Sequence, residues 1–182
     1  MSTNIIEAIQ KQMGYKPLHK VSPNTQEPKD EHNPQMATQF EQAAIVSVVL
    51  GIYKKAKSLK DSTTWGIDST KILSQVFEED KDKVVATVAN YAHVGTQKAE
   101  GEMHRAGVVA LEVIHKETGS DGIEKVKAYL TDQRTNILLY LPPALHMGDL
   151  LHDTTVDDRT NKMEGPVSNF MHTIEKVFSS SK

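Results

Sequence analysis

The sequence predicts an all-α protein, a compact multi-helix domain in which short amphipathic helices surround a central apolar helix. Apolar residues recur at intervals of three and four through most of the chain, which is the spacing of one helix face. No segment alternates apolar and polar residues between turn signals, as a half-buried strand would. At 182 residues the chain is long enough for one domain with its own core, and we expect that domain at residues 37–182.

The first 36 residues are expected to form a short helix followed by a linker. Helical spacing from Ile5 and Ile9, closed by Gly14, predicts an amino-terminal helix within residues 1–14. Residues 15–36 hold four prolines among polar side chains. Because prolines block helix formation and this stretch has little apolar surface to bury, it is predicted to be a linker or a long surface loop.

The longest apolar run, residues 43–53, predicts the buried central helix. Thr38 stands three residues before Glu41, which is the spacing of a capping box, so we expect this helix to begin there and to end near Lys57. The run is well short of the roughly 20 residues that a membrane-spanning helix requires, so no membrane span is expected.

Further amphipathic helices are predicted after residue 60. Asp68 and Asp80 each precede an apolar stripe, which predicts two short helices separated by an acidic turn. A longer helix is predicted from Thr96 to about Glu117. The cleanest helical stripe lies in residues 165–178, behind a Gly-Pro pair that favours a helix start.

The sequence leaves open an internal helical-hairpin repeat. Apolar positions of residues 73–88 have apolar counterparts 53 positions later, in residues 126–141. In this interpretation Asp121 opens a helix that turns near Asp132, as the first hairpin turns after residue 77. The alternative is that two unrelated helical hairpins with similar turns happen to match.

Composition and charge exclude several functions. Lys and Arg number 21 against 24 Asp and Glu, so the chain lacks the basic excess of a nucleic-acid-binding protein. It has no cysteine, which excludes disulfides, thiolate catalysis and cysteine-ligated zinc. The first residues do not have the pattern of a secretory signal, so a cytoplasmic location is expected.

Four residues of the predicted 96–117 helix are candidate metal ligands: Glu100, His104, Glu112 and His115. Helical geometry places His104 and His115 on one face but about 16 Å apart, too far to share one ion. Glu112 and His115 form a Glu-x-x-His pair of the kind found in di-metal carboxylate bundles, which need two such pairs and two further glutamates. The favoured interpretation is that these side chains flank an apolar stripe.

The stretch LPPALHMGDLLHD places His146, Asp149 and His152 at even three-residue steps. If one helix begins at the double proline, the two histidines diverge by about a third of a turn over roughly 9 Å, which does not suit one shared ion. We therefore expect a capped helix whose Asp149 orients one imidazole by a hydrogen bond. A metal site is the alternative.

The next residues partly match a calcium-binding loop. Oxygen ligands stand at its first, third, fifth, ninth and twelfth places: Asp153, Thr155, Asp157, Asn161 and Glu164. The sixth place holds Asp158 where the loop needs glycine, and the eighth holds Thr160 where an apolar residue is usual. A polar loop between helices is the favoured interpretation, and calcium binding is the alternative.

The segments ILSQVFEEDKDKVVATVANYAHV and AEGEMHRAGVVALEVI resemble the YidB-like bacterial family of unknown function. The resemblance covers roughly residues 68–115, and the later NILLYLPPALHMGDLL extends it. It implies a compact helical domain and provides no catalytic residues to carry over.

Taken together, these patterns favour a non-enzymatic helical domain that works through contacts with another protein or with itself. No catalytic residue is assigned and no cofactor is expected. The alternative is a metal-dependent enzyme or a small-molecule-binding protein that uses the His, Asp and Glu residues of segments 100–115 and 146–153, with a divalent metal as the candidate cofactor.

Overall fold

The structure is a computed structural model, and it describes residues 3–21, 36–60, 65–119 and 122–151. Over these residues every regular element is helical, which confirms the predicted all-α class. In chain order the α-helices are α1 (Ile5–Gln12), α2 (Met36–Ser58), α3 (Ile72–Phe77), α4 (Lys81–Tyr91), α5 (Thr96–Thr118), α6 (Ile123–Leu139) and α7 (Met147–Leu150). Single turns of 3-10 helix at Ser69–Lys71, Glu78–Asp80 and Pro143–Leu145 precede α3, α4 and α7.

Helix α2 is the centre of the domain. Every residue from 43 to 53 is buried, and α2 contacts α1, α3, α4, α5 and α6, which confirms the predicted central apolar helix. The predicted capping box is wrong, because α2 begins at Met36 and Thr38 and Glu41 already lie inside the helix. No described helix combines the length and the apolar character that crossing a membrane would require.

Helix α1 belongs to the same core. The side chain of Asn4 caps it, accepting hydrogen bonds from the amides of Ile6 and Glu7 at 3.0 and 3.3 Å. Gly14, with φ of +73°, lies just beyond its carboxyl end. Ile5, Ile6 and Ile9 are fully buried against α2, α5 and α6. The amino-terminal helix is thus built into the domain.

Residues 15–21, the described part of the predicted linker, are hydrogen-bonded to the domain. The side chain of Gln42 accepts from the amide of His19 at 3.0 Å and donates to the His19 carbonyl at 2.9 Å. The amide of Val21 donates to the carbonyl of Leu139 at 2.7 Å. Residues 22–35 lie outside the described part of the chain.

The two segments of the proposed repeat have different structures. A turn at Glu78–Asp80 separates α3 from α4, as predicted, whereas α6 runs without a break through Asp132. The predicted turn near Asp132 is therefore wrong. Asp132 faces solvent and neither glycine nor proline interrupts this stretch, while the next residue, Gln133, is fully buried on the inner face of the helix. The two segments do not form equivalent hairpins.

Two glycines allow α3 to approach its neighbours closely. A methyl group at Gly51 of α2 would stand 2.5 Å from Cε1 of Phe77, and one at Gly107 of α5 would stand 2.8 Å from Cδ1 of Ile72. Both glycines are buried. Helix α3 therefore packs between α2 and α5 at positions where only glycine leaves enough room, and this packing sets the distance between α3 and α5.

Candidate ligand-binding cleft

A cleft of about 410 Å³ opens between α5 and the segment that leads into α3. Its volume lies within the roughly 300–1,000 Å³ that small-molecule sites usually occupy. Seven of its nine lining residues are polar or charged, and the lining residues are Thr70, Lys71, Leu73, Ser74, Lys81, Gln97, Glu100, Gly101 and His104. The cleft therefore offers a ligand several hydrogen-bonding groups beside apolar surface.

Four residues of α5 form one wall, and their spacing explains why they share it. Gln97, Glu100, Gly101 and His104 follow one another at positions i, i+3, i+4 and i+7, which is one face of a helix. Glu100 and His104 are two of the four candidate metal ligands on this helix, and the structure brings both into the cleft.

Gly101 is the unusual member of this wall. A glycine inside a helix costs about 1 kcal/mol relative to alanine, and buried glycines usually compensate by allowing close packing. Gly101 is exposed, and a methyl group there would meet no atom within 4 Å. Packing therefore does not require glycine at this position, and the open space beside it is part of the cleft.

The opposite wall is a short turn closed by its own hydrogen bonds. Oδ1 of Asp68 accepts from the amide of Thr70 at 2.9 Å and from its hydroxyl at 2.8 Å, and these bonds hold the pKa of Asp68 below its ordinary value. The Ser74 hydroxyl donates to the carbonyl of Lys71 at 2.9 Å. Both hydroxyl protons in the cleft are thus engaged locally.

The charged groups of the cleft are two lysines and one glutamate. Nζ of Lys81 lies 2.7 Å from Oε1 of Glu100, and this hydrogen bond raises the pKa of Lys81. Asp82 lies farther from the same ammonium group, at 3.7 Å. Lys71 is exposed, and it forms no ion pair with any residue that the structure describes. Lys71 is therefore the lining lysine without a direct ion pair, and the carboxylate of Asp68 interacts with it only at longer range.

The other two candidate ligands on α5 lie away from the cleft. Glu112 accepts a hydrogen bond from the side chain of Gln12 on α1, and His115 is exposed in the last turn of α5. Among residues 3–21, 36–60, 65–119 and 122–151, no group of three or more His, Asp or Glu side chains could hold a metal ion.

The structure also differs from the prediction at His146 and Asp149. The helix expected to run from the double proline is broken at His146, whose backbone is left-handed (φ 44°, ψ 42°). The break lets Leu145, Met147 and Leu151 all turn into the core, where each is at most 3% exposed. His146 and Asp149 are exposed and form no hydrogen bond with each other, so His146 is not the imidazole that Asp149 was expected to orient.

The remaining candidate ligands lie outside the described residues: His152, Asp153, Thr155, Asp157, Asn161 and Glu164. The calcium-loop interpretation and the pairing of Asp149 with His152 remain predictions.

Sequence reasoning missed the lysines and the glycine of the cleft. Lys71, Lys81 and Gly101 come from three separate elements, so no local spacing connects them. Gly101 did carry a signal, because it interrupts a long helical pattern where alanine would be more favourable.

No family model, curated protein or solved structure matches the chain.

Proposed function

We propose that this chain is a non-enzymatic helical domain that binds a small polar molecule in the cleft between α3 and α5. The observation that carries the proposal is Gly101, an exposed glycine in the second turn of a 23-residue helix. Its missing side chain leaves the α5 backbone open to a cleft whose other polar groups converge on the same space. Glycine is the residue that permits a ligand to approach the backbone closely.

The hydrogen bonds of the cleft favour binding over catalysis. A nucleophilic hydroxyl needs a base positioned to take its proton, whereas the Thr70 hydroxyl donates to Asp68 and the Ser74 hydroxyl donates to a backbone carbonyl. Lys81 is held as a cation by Glu100 and is therefore a poor base. These groups are therefore suited to binding a ligand and releasing it without a chemical reaction.

Filling the cleft from Gly101 tests this proposal. A thermal-shift screen of the 182-residue protein against a library of polar metabolites should find compounds that raise its melting temperature. Gly101→Leu should abolish those shifts without unfolding the protein, because leucine is a better helix former and its side chain would project into open space. Gly101→Ala, which adds only a methyl group, is the matched control and should retain most of the response.

If the shifts persist in Gly101→Leu, the ligand binds elsewhere and the cleft is not the site. The proposal would also be refuted if the screen finds no compound whose thermal shift is abolished by Gly101→Leu.

A second candidate function is protein interaction or self-assembly, and a different observation supports it. Six apolar residues recur at helical spacing near the end of the sequence: Val167, Phe170, Met171, Ile174, Val177 and Phe178. These residues lie outside the described part of the chain, and the stripe is a feature of the sequence. An amphipathic helix of this kind can bind the groove of a partner or a second copy.

Light scattering across a concentration series tests self-assembly through this stripe. The full chain should gain mass with concentration, and Phe170→Asp should keep it monomeric because a charge would be placed on the apolar face. Asn169→Asp adds the same charge off the stripe and should leave the association unchanged. Equal masses for all three proteins would rule out assembly through this stripe.

A further inference from the structure

We infer that the ligand of the cleft is a small anion whose phosphate or carboxylate oxygens bind the ammonium groups of Lys71 and Lys81. This inference rests on the binding function proposed above, and it adds the chemical class of the ligand and the role of Glu100.

Two of the four side chains left to donate hydrogen bonds in the cleft are cationic. The Thr70 and Ser74 hydroxyl protons are already donated to neighbouring oxygens. The remaining donors are the ammonium groups of Lys71 and Lys81, the amide of Gln97 and the imidazole of His104. Charged donors favour oxygens that carry a negative charge, since such hydrogen bonds are about twice as strong as neutral ones.

Lys71 is the cation of the cleft that an anionic ligand can bind directly. Glu100 and, at 3.7 Å, Asp82 pair with Lys81, whereas Lys71 has no ion-pair partner among the described residues. The carboxylate of Asp68 accepts two hydrogen bonds from Thr70 and interacts with Lys71 electrostatically from beyond ion-pair distance. A phosphate or carboxylate group of the ligand would therefore be the direct partner of the Lys71 ammonium group.

Glu100 occupies the place that a ligand anion would take on Lys81. The Glu100 side chain is 46% exposed and that of Lys81 is 29% exposed, so water reaches their ion pair. Ion pairs that water reaches are weak, so an incoming anion displaces the carboxylate at small cost. Glu100 thus acts as an internal competitor, which keeps Lys81 oriented when no ligand is bound.

Because Glu100 competes with an anionic ligand, the direction in which Glu100→Gln changes the affinity distinguishes an anion from a cation. Glu100→Gln removes the competing charge and should tighten the binding of an anion, by roughly threefold if the lost pair was worth about 0.6 kcal/mol. If the ligand were a cation or a metal ion, the same substitution would remove a ligand group and weaken binding. Lys71→Gln should weaken anion binding about tenfold or more, through loss of a charge-assisted hydrogen bond.

Isothermal titration of the full-length protein tests the inference with two probes at matched ionic strength: glycerol 3-phosphate, a phosphate monoester, and succinate, a dicarboxylate. Saturable binding of one or both, weakened by Lys71→Gln and tightened by Glu100→Gln, would support it, and the stronger probe identifies the anionic group. Lys116→Gln is the matched control, because it removes the same charge from an exposed site at the far end of α5. It should leave the affinity unchanged.

Three outcomes would overturn the inference. They are failure of both probes to bind more tightly than about 10 mM, equal effects of Lys71→Gln and Lys116→Gln, and weaker anion binding in Glu100→Gln. Failure of the broader binding proposal is distinguishable, because in that case Gly101→Leu would abolish the thermal shift of no compound, whatever its charge. If Gly101→Leu abolishes the thermal shift of a neutral or cationic compound, the binding function is supported and only the anionic class of ligand is refuted.

Discussion

Two buried tyrosines of similar exposure have opposite hydrogen-bonding situations. The hydroxyl of Tyr140 donates to Oε1 of Glu7 at 2.9 Å, whereas the hydroxyl of Tyr129 has no hydrogen-bond partner among the described residues. Tyr129 and Tyr140 are 8% and 3% exposed, so little water reaches either ring. A buried polar group without a partner costs about 1–3 kcal/mol. The Tyr129 hydroxyl therefore destabilises the folded state, whereas the Tyr140 hydroxyl connects the end of α6 to α1 by a hydrogen bond.

Removing each hydroxyl should thus change stability in opposite directions. Tyr129→Phe should raise the free energy of unfolding by up to about 1 kcal/mol, because the unpaired hydroxyl is replaced by hydrogen. Tyr140→Phe should lower it by about 1 kcal/mol, because the hydrogen bond from the Tyr140 hydroxyl to Glu7 is lost. Urea denaturation at pH 7 measures both. A loss of stability in Tyr129→Phe would show that its hydroxyl has a partner, such as a bound water.

The same tyrosines predict a decline in stability at alkaline pH. Burial, with Glu117 nearby, raises the pKa of Tyr129 to about 12, and burial with the hydrogen bond to Glu7 raises the pKa of Tyr140 to about 12. An unfolded tyrosine has a pKa of about 10, so the unfolded chain loses these protons first. Titration of these tyrosines therefore leaves the free energy of unfolding unchanged below pH 10 and lowers it as the pH rises toward 12.

Denaturation midpoints measured between pH 9 and 12 test this prediction. The decline should be shallower in Tyr129→Phe, because one of the two titrating groups is gone. If the loss of stability between pH 9 and 12 is the same in Tyr129→Phe, other titrating groups cause it.

At the scale of the elements, glycines have two opposite uses in this fold. Gly51 and Gly107 remove side chains where α3 packs against α2 and α5, and any larger residue would collide with Phe77 or Ile72. Gly101 lies less than two turns before Gly107 on the same helix, yet it faces open space. The position of each glycine in the packing, and not its helix propensity, therefore decides what it contributes.

Alanine substitution at two of these glycines should give opposite results. Gly51→Ala should cost about 1–3 kcal/mol, because the added methyl group would overlap the buried ring of Phe77. Gly101→Ala should gain about 0.5–1 kcal/mol, since it improves helix propensity without a collision. Thermal unfolding of both variants provides the comparison. A stabilised Gly51→Ala would mean that α3 can move away from α2 at little cost.

At the scale of the whole molecule, two buried glutamines join the amino-terminal residues to the later helices. Oε1 of Gln133 accepts from the amide of Ile5 at 3.0 Å. Gln42 hydrogen-bonds both the amide and the carbonyl of His19, and its Nε2 also donates to the carbonyl of Tyr140 at 2.8 Å. These side chains satisfy backbone groups that the helices leave unpaired, so the first 21 residues are held by specific bonds as well as by apolar burial.

Gln42→Leu should therefore release residues 15–21 while the helical core stays folded. Leucine preserves the approximate size but leaves the backbone groups of His19 and the Tyr140 carbonyl without partners, a cost of about 1–3 kcal/mol. Hydrogen exchange should show faster exchange of the His19 amide, with amides in the middle of α2 and α5 still protected. Unchanged protection at His19 would mean that other contacts hold this segment.

The sequence predicted those parts of the fold that depend on local pattern. The apolar run at residues 43–53 identified α2, apolar spacing with flanking glycines placed α5 within one residue of its observed ends, and α1 lies inside the predicted range of residues 1–14. Prediction from the sequence failed where tertiary packing determines the backbone conformation. The left-handed backbone of His146 and the straight course of α6 past Asp132 both depend on which side chains the core accepts.

The candidate site was predicted only in part, for the same physical reason. Glu100 and His104 were found because they lie one turn apart on one helix. Lys71 and Lys81 enter the cleft through the 3-10 turn before α3 and the first residue of α4, and nothing in their own neighbourhoods marks them. Their role became visible only once α3 was packed against α5.

The hydrogen bond between Ile5 and Gln133 also constrains how the chain acquires its structure during synthesis. The two residues are 128 positions apart, and ribosomes add about 5–20 residues per second. Ile5 is therefore added to the chain roughly 6–26 seconds before Gln133. For that interval Ile5, Ile6 and Ile9 have no finished core to enter, and a nascent chain bearing an apolar helix is the kind of client that chaperones bind.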